Sequence, residues 1–216
     1  LLDERGYVMD DGLICKESDT RYILTFTSGG SSHAEMWLRD WAGSWGLDVR
    51  LLYQTMTLSA INVTGPLANT LLERAGLSER PPYMGFASAT VAGVPCTVFR
   101  LSFTGELSYE LHHPAQDSVR LWRSLLELGA DLGIKPHGIE ALVKLRLEKG
   151  HIIVGQDTDF DSTPRRIAHE WAVKLDKAEF IGRQAVIRTN KIAPDKQLVG
   201  LEMDGDAPIE GAVIWY

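Results

Sequence analysis

With 29 acidic against 22 basic residues among 216, the chain carries a formal charge of −7 and no long basic run, which argues against nucleic acid as a main partner. Its 44% hydrophobic and 24% charged content is that of a globular protein, long enough for one large domain or two small ones. No apolar run nears the ~20 residues of a membrane span, and Cys15 and Cys96 lack CxxC or zinc spacing, so they read as free thiols of a reducing, cytoplasmic compartment with no membrane partner.

The chain opens at Leu1 inside a strand-like pattern and closes on a strand-like run over 213–216, so it reads as an excerpt truncated at both ends. Residues 7–9 and 13–15 are short apolar runs around Asp10-Asp11-Gly12, a turn or bulge between strand segments. Paired carboxylates in a turn are commonly just solvated, but two adjacent ones also suit proton transfer. Residues 21–26 predict a strand, followed by a Ser/Gly connection into a helix for which Ser32 and Glu35 have capping-box spacing. Met36, Trp37, Trp41 and Trp45 recur at helical intervals and read as core or interface. The strand, glycine, helix order lacks the G-x-G-x-x-G spacing of a dinucleotide site.

Residues 49–53 and 58–63 read as strands, and Pro66 as the first position of a helix that turns Leu67, Leu71 and Leu72 inward and stops at Gly76. Residues 86–91 and 95–102 pair about Ala92-Gly93. The stretch 100–114 then reads as strand, tight turn at Thr104-Gly105-Glu106, and strand. Within it Leu107, Tyr109 and Leu111 alternate with Ser108, Glu110 and His112, the period of a half-buried strand. Glu110 is therefore a carboxylate on a rigid element, able to accept two parallel N–H bonds from a flat, guanidine-like edge such as a pterin presents. An ordinary hairpin with a solvated glutamate has the same pattern. A helix over 118–129, with Val119, Trp122, Leu125 and Leu126 on one side, completes a split β-α-β subdomain over 57–132.

Residues 137–149 predict a second helix, stopped by Gly150, with Ile139, Leu142, Leu145 and Arg146 on one face. An arginine on such a face is either paired to a carboxylate or aimed at a site. Residues 151–155 and 171–175 read as strands, and a turn after Phe180 leads into a short helix. Asp157, Asp159 and Asp161 make a D-x-D-x-D loop, but Ser162 and Ala168 stand where a calcium loop needs glycine and glutamate, so no metal is expected. A linker at Pro194-Asp195 precedes a strand over 198–203. The expected organisation is an α+β fold with antiparallel sheets and flanking helices, residues 1–190 forming one region and 191–216 starting a carboxy-terminal β domain.

Four motifs in register resemble the folate-binding aminomethyltransferase family typified by the T-protein of the glycine cleavage system. They span residues 8–14, 62–66, 102–110 and 145–150, reading VMDDGLI, NVTGP, SFTGELSYE and LRLEKG. Residues 148–159, with Thr163-Pro164 and the run 180–183, are most similar to the carboxy-terminal part of the sarcosine oxidase α subunit. The resemblance implies an aminomethyltransferase folate-binding fold. It also implies transfer of a one-carbon unit from an imine to tetrahydrofolate, giving 5,10-methylenetetrahydrofolate. Asp11 falls on the catalytic aspartate and Glu110 on the pterin-gripping glutamate, and Phe103 and Tyr109 of the same motif are counted with them as folate-binding. FAD, FMN and NAD are expected only in a full hetero-oligomer with flavin-carrying partner subunits, since no motif in this chain binds them. The sequence departs from T-proteins at Phe103, where they carry tyrosine, and at Leu142-Val143, where they carry an Arg-Asp pair. A glycine-cleavage-type aminomethyltransferase, the folate domain of a dimethylglycine dehydrogenase, and a non-catalytic folate-binding or assembly module are the alternatives.

Overall fold

A computed structural model describes residues 1–205, 208–209 and 211–213. The chain divides into two compact units, Leu1 with residues 10–157 and residues 2–9 with 158–216.

The first unit opens with a small antiparallel pair, β1 (Ile14–Lys16) against β2 (Tyr22–Leu24), followed by helix α1 (Ser31–Ser44). A four-stranded antiparallel sheet follows, made of β3 (Leu58–Thr64), β4 (Phe86–Val91), β5 (Val94–Phe99) and β6 (Ser108–Pro114), in spatial order β3-β6-β5-β4. Helix α2 (Ala68–Arg74) lies between β3 and β4 in the chain, and α3 (Ser118–Leu128) follows β6. The β4–β5 turn is the two-residue kind that needs both central residues left-handed, and Ala92 and Gly93 have φ of 48° and 75°. The Ala92 amide donates to the Ala75 carbonyl at 2.6 Å, which ties the hairpin tip to the end of α2.

Strand register sorts the side chains onto two faces. Val63, Val98, Tyr109 and Leu111 turn inward and pack with Leu71 and Leu72 of α2 and Leu121 and Leu125 of α3 in one apolar core. Cys96 lies in that core, where burial pushes its thiol up to about 11, so it stays neutral. Tyr109 is 0% exposed, and its hydroxyl donates to Asn69 Oδ1 at 2.7 Å. A buried phenol keeps its place only with such a partner. Tyr109→Phe is expected to cost about 1 kcal/mol, the net worth of one neutral hydrogen bond, read as a fall in the urea midpoint with an unchanged slope.

Helix α4 (Ile139–Lys149) ends at Gly150, whose φ of 83° is the left-handed cap that glycine adopts without penalty. Arg146 is 3% exposed and pairs with Asp157 while also donating to the His151 carbonyl at 3.1 Å. Asp157 closes the loop by accepting from the Ile153 amide at 2.7 Å. The buried arginine is thus paired rather than aimed at a site. Ile139, placed on the same face by periodicity, is exposed.

Several predicted elements differ. Residues 49–53, 151–155, 171–175 and 198–203 contain no strand. Apolar, β-branched runs become strands only where a neighbour takes up their backbone groups, and none of the strands pairs with them. The expected strand over 95–102 stops at Phe99, and residues 100–107 form a longer loop instead of a tight turn. Helix α2 starts two residues after Pro66, because a turn from the Gly65 carbonyl to the Ala68 amide comes first. Of the strand-like carboxy terminus, residues 214–216 lie outside the described residues.

The second unit holds helix α5 (Arg183–Thr189), the predicted short helix, with Ala185 and Val186 buried. Asp3 accepts from the Arg5 and Tyr7 amides and folds residues 2–9 into a loop. The three aspartates of the D-x-D-x-D run are divided among different cations: Asp157 on Arg146, Asp159 on Lys196 and Asp161 on Arg166.

Candidate functional site

Of the two predicted carboxylates, Asp11 lies in the segment before β1 and Glu110 lies on the four-stranded sheet, both in the first unit. The Asp10-Asp11 pair precedes β1 and divides its labour. Asp10 is 2% exposed and its carboxylate is consumed by structure. Its Oδ1 accepts from the Asp11 amide at 2.8 Å and the Thr27 amide at 3.3 Å, and its Oδ2 accepts from the Thr27 hydroxyl at 3.1 Å. Asp11 is half-buried. The Asp10 carboxylate thus fixes the backbone on which Asp11 stands.

Two glycines permit this fold of the chain. A Cβ on Gly12 would lie 1.8 Å from the Thr25 carbonyl oxygen, and one on Gly30 would lie 2.1 Å from Asp10 Oδ2. The Ser32/Glu35 capping box is not made, because α1 begins at Ser31, which puts Ser32 inside the helix, and Glu35 pairs with Arg39. The N-cap of α1 is Gly30, with no side-chain cap, because Asp10 occupies the space a larger residue would need.

Glu110 lies in the middle of β6, on the face opposite the core. Its register partners are Asn62 on β3 and Phe99 on β5, and Phe99 pairs onward with Phe86 on β4. The side chain is 29% exposed and its Oε2 lies 3.1 Å from His112 Nε2. His112 is 18% exposed and its ring leans on Phe99, with centroids 4.5 Å apart. Directly across from Glu110, the Asn62 amide nitrogen donates to the Ser108 hydroxyl at 2.8 Å, while Asn62 Oδ1 is buried without a hydrogen-bond partner. Asn62 and Glu110 are register partners, but the Asn62 oxygen is shielded from solvent, so the partly exposed Glu110 carboxylate is the acceptor open to a ligand. A separate cavity of about 690 Å³ lies between β3 and helices α2 and α3, lined by Val63, Leu71, Trp122, Leu125 and Ile134 among others, and Glu110 does not line it.

Phe103 sits in the loop leading to β6. Its ring stacks on His151 at 5.5 Å between centroids, and its carbonyl accepts from His151 Nδ1 at 2.8 Å. The next residue, Thr104, places its hydroxyl 3.3 Å from that of Thr64, at the end of β3 on the Glu110 face. Tyr109, in contrast, points into the core away from Glu110, so strand alternation makes it a support behind β6 and not a residue facing a ligand with Glu110. His112 and Asn62 were missed from sequence. His112 was accessible to the same period-2 argument that singled out Glu110, whereas Asn62 required the β3–β6 register.

The GCVT N-terminal domain describes residues 1–177 of the chain. The chain belongs to this family. It is 33% identical over 200 residues to the sarcosine oxidase subunit alpha of Corynebacterium sp. (strain P-1), covering 89% of this chain and 21% of that protein. It is 30% identical over 210 residues to an aminomethyltransferase of Thermoanaerobacter pseudethanolicus, covering 95% of this chain and 56% of that one. The fold matches the glycine cleavage system aminomethyltransferase T of Bartonella henselae with a TM-score of 0.77 at 25% identity, over 88% of this chain and 51% of that structure. The GCVT chain thus spans about a fifth of the first relative and about half of the other two. Its α+β architecture of antiparallel sheets with flanking helices is that of the aminomethyltransferases. Among the described residues no helix is long and apolar enough to cross a membrane.

Proposed function

We propose that this GCVT chain binds tetrahydrofolate and carries the transfer of a one-carbon unit onto it, as the folate-binding part of a sarcosine oxidase α-type subunit. The observation that carries the reading is the Glu110 carboxylate, held in the middle of β6 on the face away from the core, partly exposed and beside His112. The 2-amino and ring N–H groups of a reduced pterin form a flat donor edge that matches it, and an ionised carboxylate accepts both in parallel.

In this reading tetrahydrofolate supplies the nucleophilic nitrogens. Glu110 fixes the ring, which lowers the entropic part of the barrier. Asp11, held by the Asp10 anchor, stabilises the positive charge of a protonated imine donor, takes the proton released as one folate nitrogen attacks, and returns it to the donor amine, which leaves as its C–N bond breaks and the second folate nitrogen closes the ring. Phe103, stacked on His151, precedes Thr104, whose hydroxyl meets that of Thr64 at the end of β3. The imine comes from oxidation of an amine at a flavin on a partner subunit, and FAD, FMN and NAD belong to that assembly. The two buried thiols suit a reducing, cytoplasmic setting. An aminomethyltransferase-type reaction is the second reading, favoured by likeness over 95% of the chain to an aminomethyltransferase.

Asp11→Asn tests the division of roles. It keeps the shape but removes the charge, so methylene transfer is expected to fall about 10²–10⁴-fold, the usual worth of a positioned acid–base group, with folate affinity nearly unchanged. Anaerobic single-turnover formation of 5,10-methylenetetrahydrofolate measures the first and calorimetry the second. Unchanged turnover removes Asp11 from the chemistry.

A further inference from the structure

The only polar contact to the Glu110 side chain among the hydrogen bonds described comes from its own strand. His112 is two residues on, so it shares the Glu110 face, and its Nε2 lies 3.1 Å from Glu110 Oε2. An ionised carboxylate only accepts, so Nε2 carries the proton in this contact. The ring is held in place by the tilted stack on Phe99, itself stacked on Phe86 with centroids 5.4 Å apart. Residues flanking His112 in register are Ala60 on β3 and Thr97 on β5, neither of them charged. Nothing else on these sheet positions competes for the imidazole.

We propose that His112 is a positioning residue for Glu110, holding the carboxylate turned so that each oxygen keeps a lone pair for a ligand's donor edge. This rests on the folate reading of Glu110 and adds how its selectivity arises. A glutamate side chain has three rotatable bonds and, without a brace, loses their freedom only when a ligand binds. The His112 N–H takes one lone pair of Oε2 and fixes the plane of the group beforehand. The remaining lone pairs then accept two donors side by side and repel an edge that presents acceptors. Selectivity for a 2-amino pterin over a pterin lacking that amine therefore depends on His112 as well as on Glu110.

The test is calorimetric binding of tetrahydrofolate and of its 2-desamino analogue to the full-length protein, under nitrogen, in the wild type and in His112→Ala, His112→Gln and Glu110→Gln. Thermal melts of each variant establish that it is folded. His112→Ala is expected to lose about tenfold in tetrahydrofolate affinity and to leave the analogue's affinity unchanged, so the preference for the 2-amino compound shrinks by the same factor. His112→Gln, whose amide nitrogen reaches the place of Nε2, is expected to restore most of that preference. A general structural role would weaken both ligands alike and would not be rescued by Gln. Equal weakening of both ligands, or no change in His112→Ala while Glu110→Gln loses affinity, overturns the positioning role and leaves the folate reading standing. Absence of tetrahydrofolate binding by the wild type overturns both.

Discussion

Glu110→Gln weakens tetrahydrofolate binding by about 1.5–3 kcal/mol, the worth of hydrogen bonds to a charged partner, or roughly ten- to a hundredfold in affinity. The substitution keeps the length and shape of the side chain. It replaces a two-oxygen acceptor by one acceptor and one donor, and the new NH₂ faces a ligand N–H or the His112 N–H. Either contact is repulsive, so the loss exceeds that of a single missing bond. The fold should be indifferent, because Glu110 stands on the face away from the core and its backbone remains in the β6 ladder. Titration calorimetry of the folded variant measures the effect, and wild-type affinity would take Glu110 out of the site.

Arg146→Ala has the largest expected effect on stability. The guanidinium is almost fully buried and is held by Asp157 and the His151 carbonyl, while Asp157 also takes the Ile153 amide. Removing the arginine leaves Asp157 without its counter-charge and unties residues 151–157 from α4. Breaking a buried pair from one side costs about 3–5 kcal/mol, which is a large share of the stability of an ordinary domain. The double variant Arg146→Met with Asp157→Leu removes both charges together. It is expected to be more stable than Arg146→Ala, because no uncompensated ion remains. Urea denaturation of both variants against wild type checks this. Equal stability of Arg146→Ala and wild type would mean that the pair contributes nothing to the fold.

Elements whose local signal agreed with their surroundings were legible in the sequence. Ala92-Gly93 has turn chemistry, Gly150 is a helix stop, and the alternation through Tyr109, Glu110 and Leu111 gave the two faces of β6 correctly. Residues 49–53 and 151–155 were misread because their apolar character is local while strand pairing is not. Side-chain directions on helices failed for the same reason. Val119 and Trp122 fall with Leu125 by spacing, but it is Leu121 and Leu125 that α3 buries.

In the candidate site, the sequence singled out Asp11 and Glu110 but could not separate Asp10 from Asp11 by physical argument. That separation needs Thr27 and Gly30, which fold back onto Asp10 from beyond β2. Asn62 and Ser108 are 46 residues apart in the chain, and their hydrogen bond shows only once β3 and β6 are in register. Tyr109 illustrates the opposite case: a residue next to Glu110 in a shared motif is carried by the pleat to the other side of the sheet.

The measurement that tests the central claim most directly is an anaerobic calorimetric titration of tetrahydrofolate into the protein, with Glu110→Gln alongside. The account predicts saturable binding at one site per chain, weakened roughly ten- to a hundredfold by the substitution. Saturable binding that Glu110→Gln leaves untouched, or no binding at all, would contradict it.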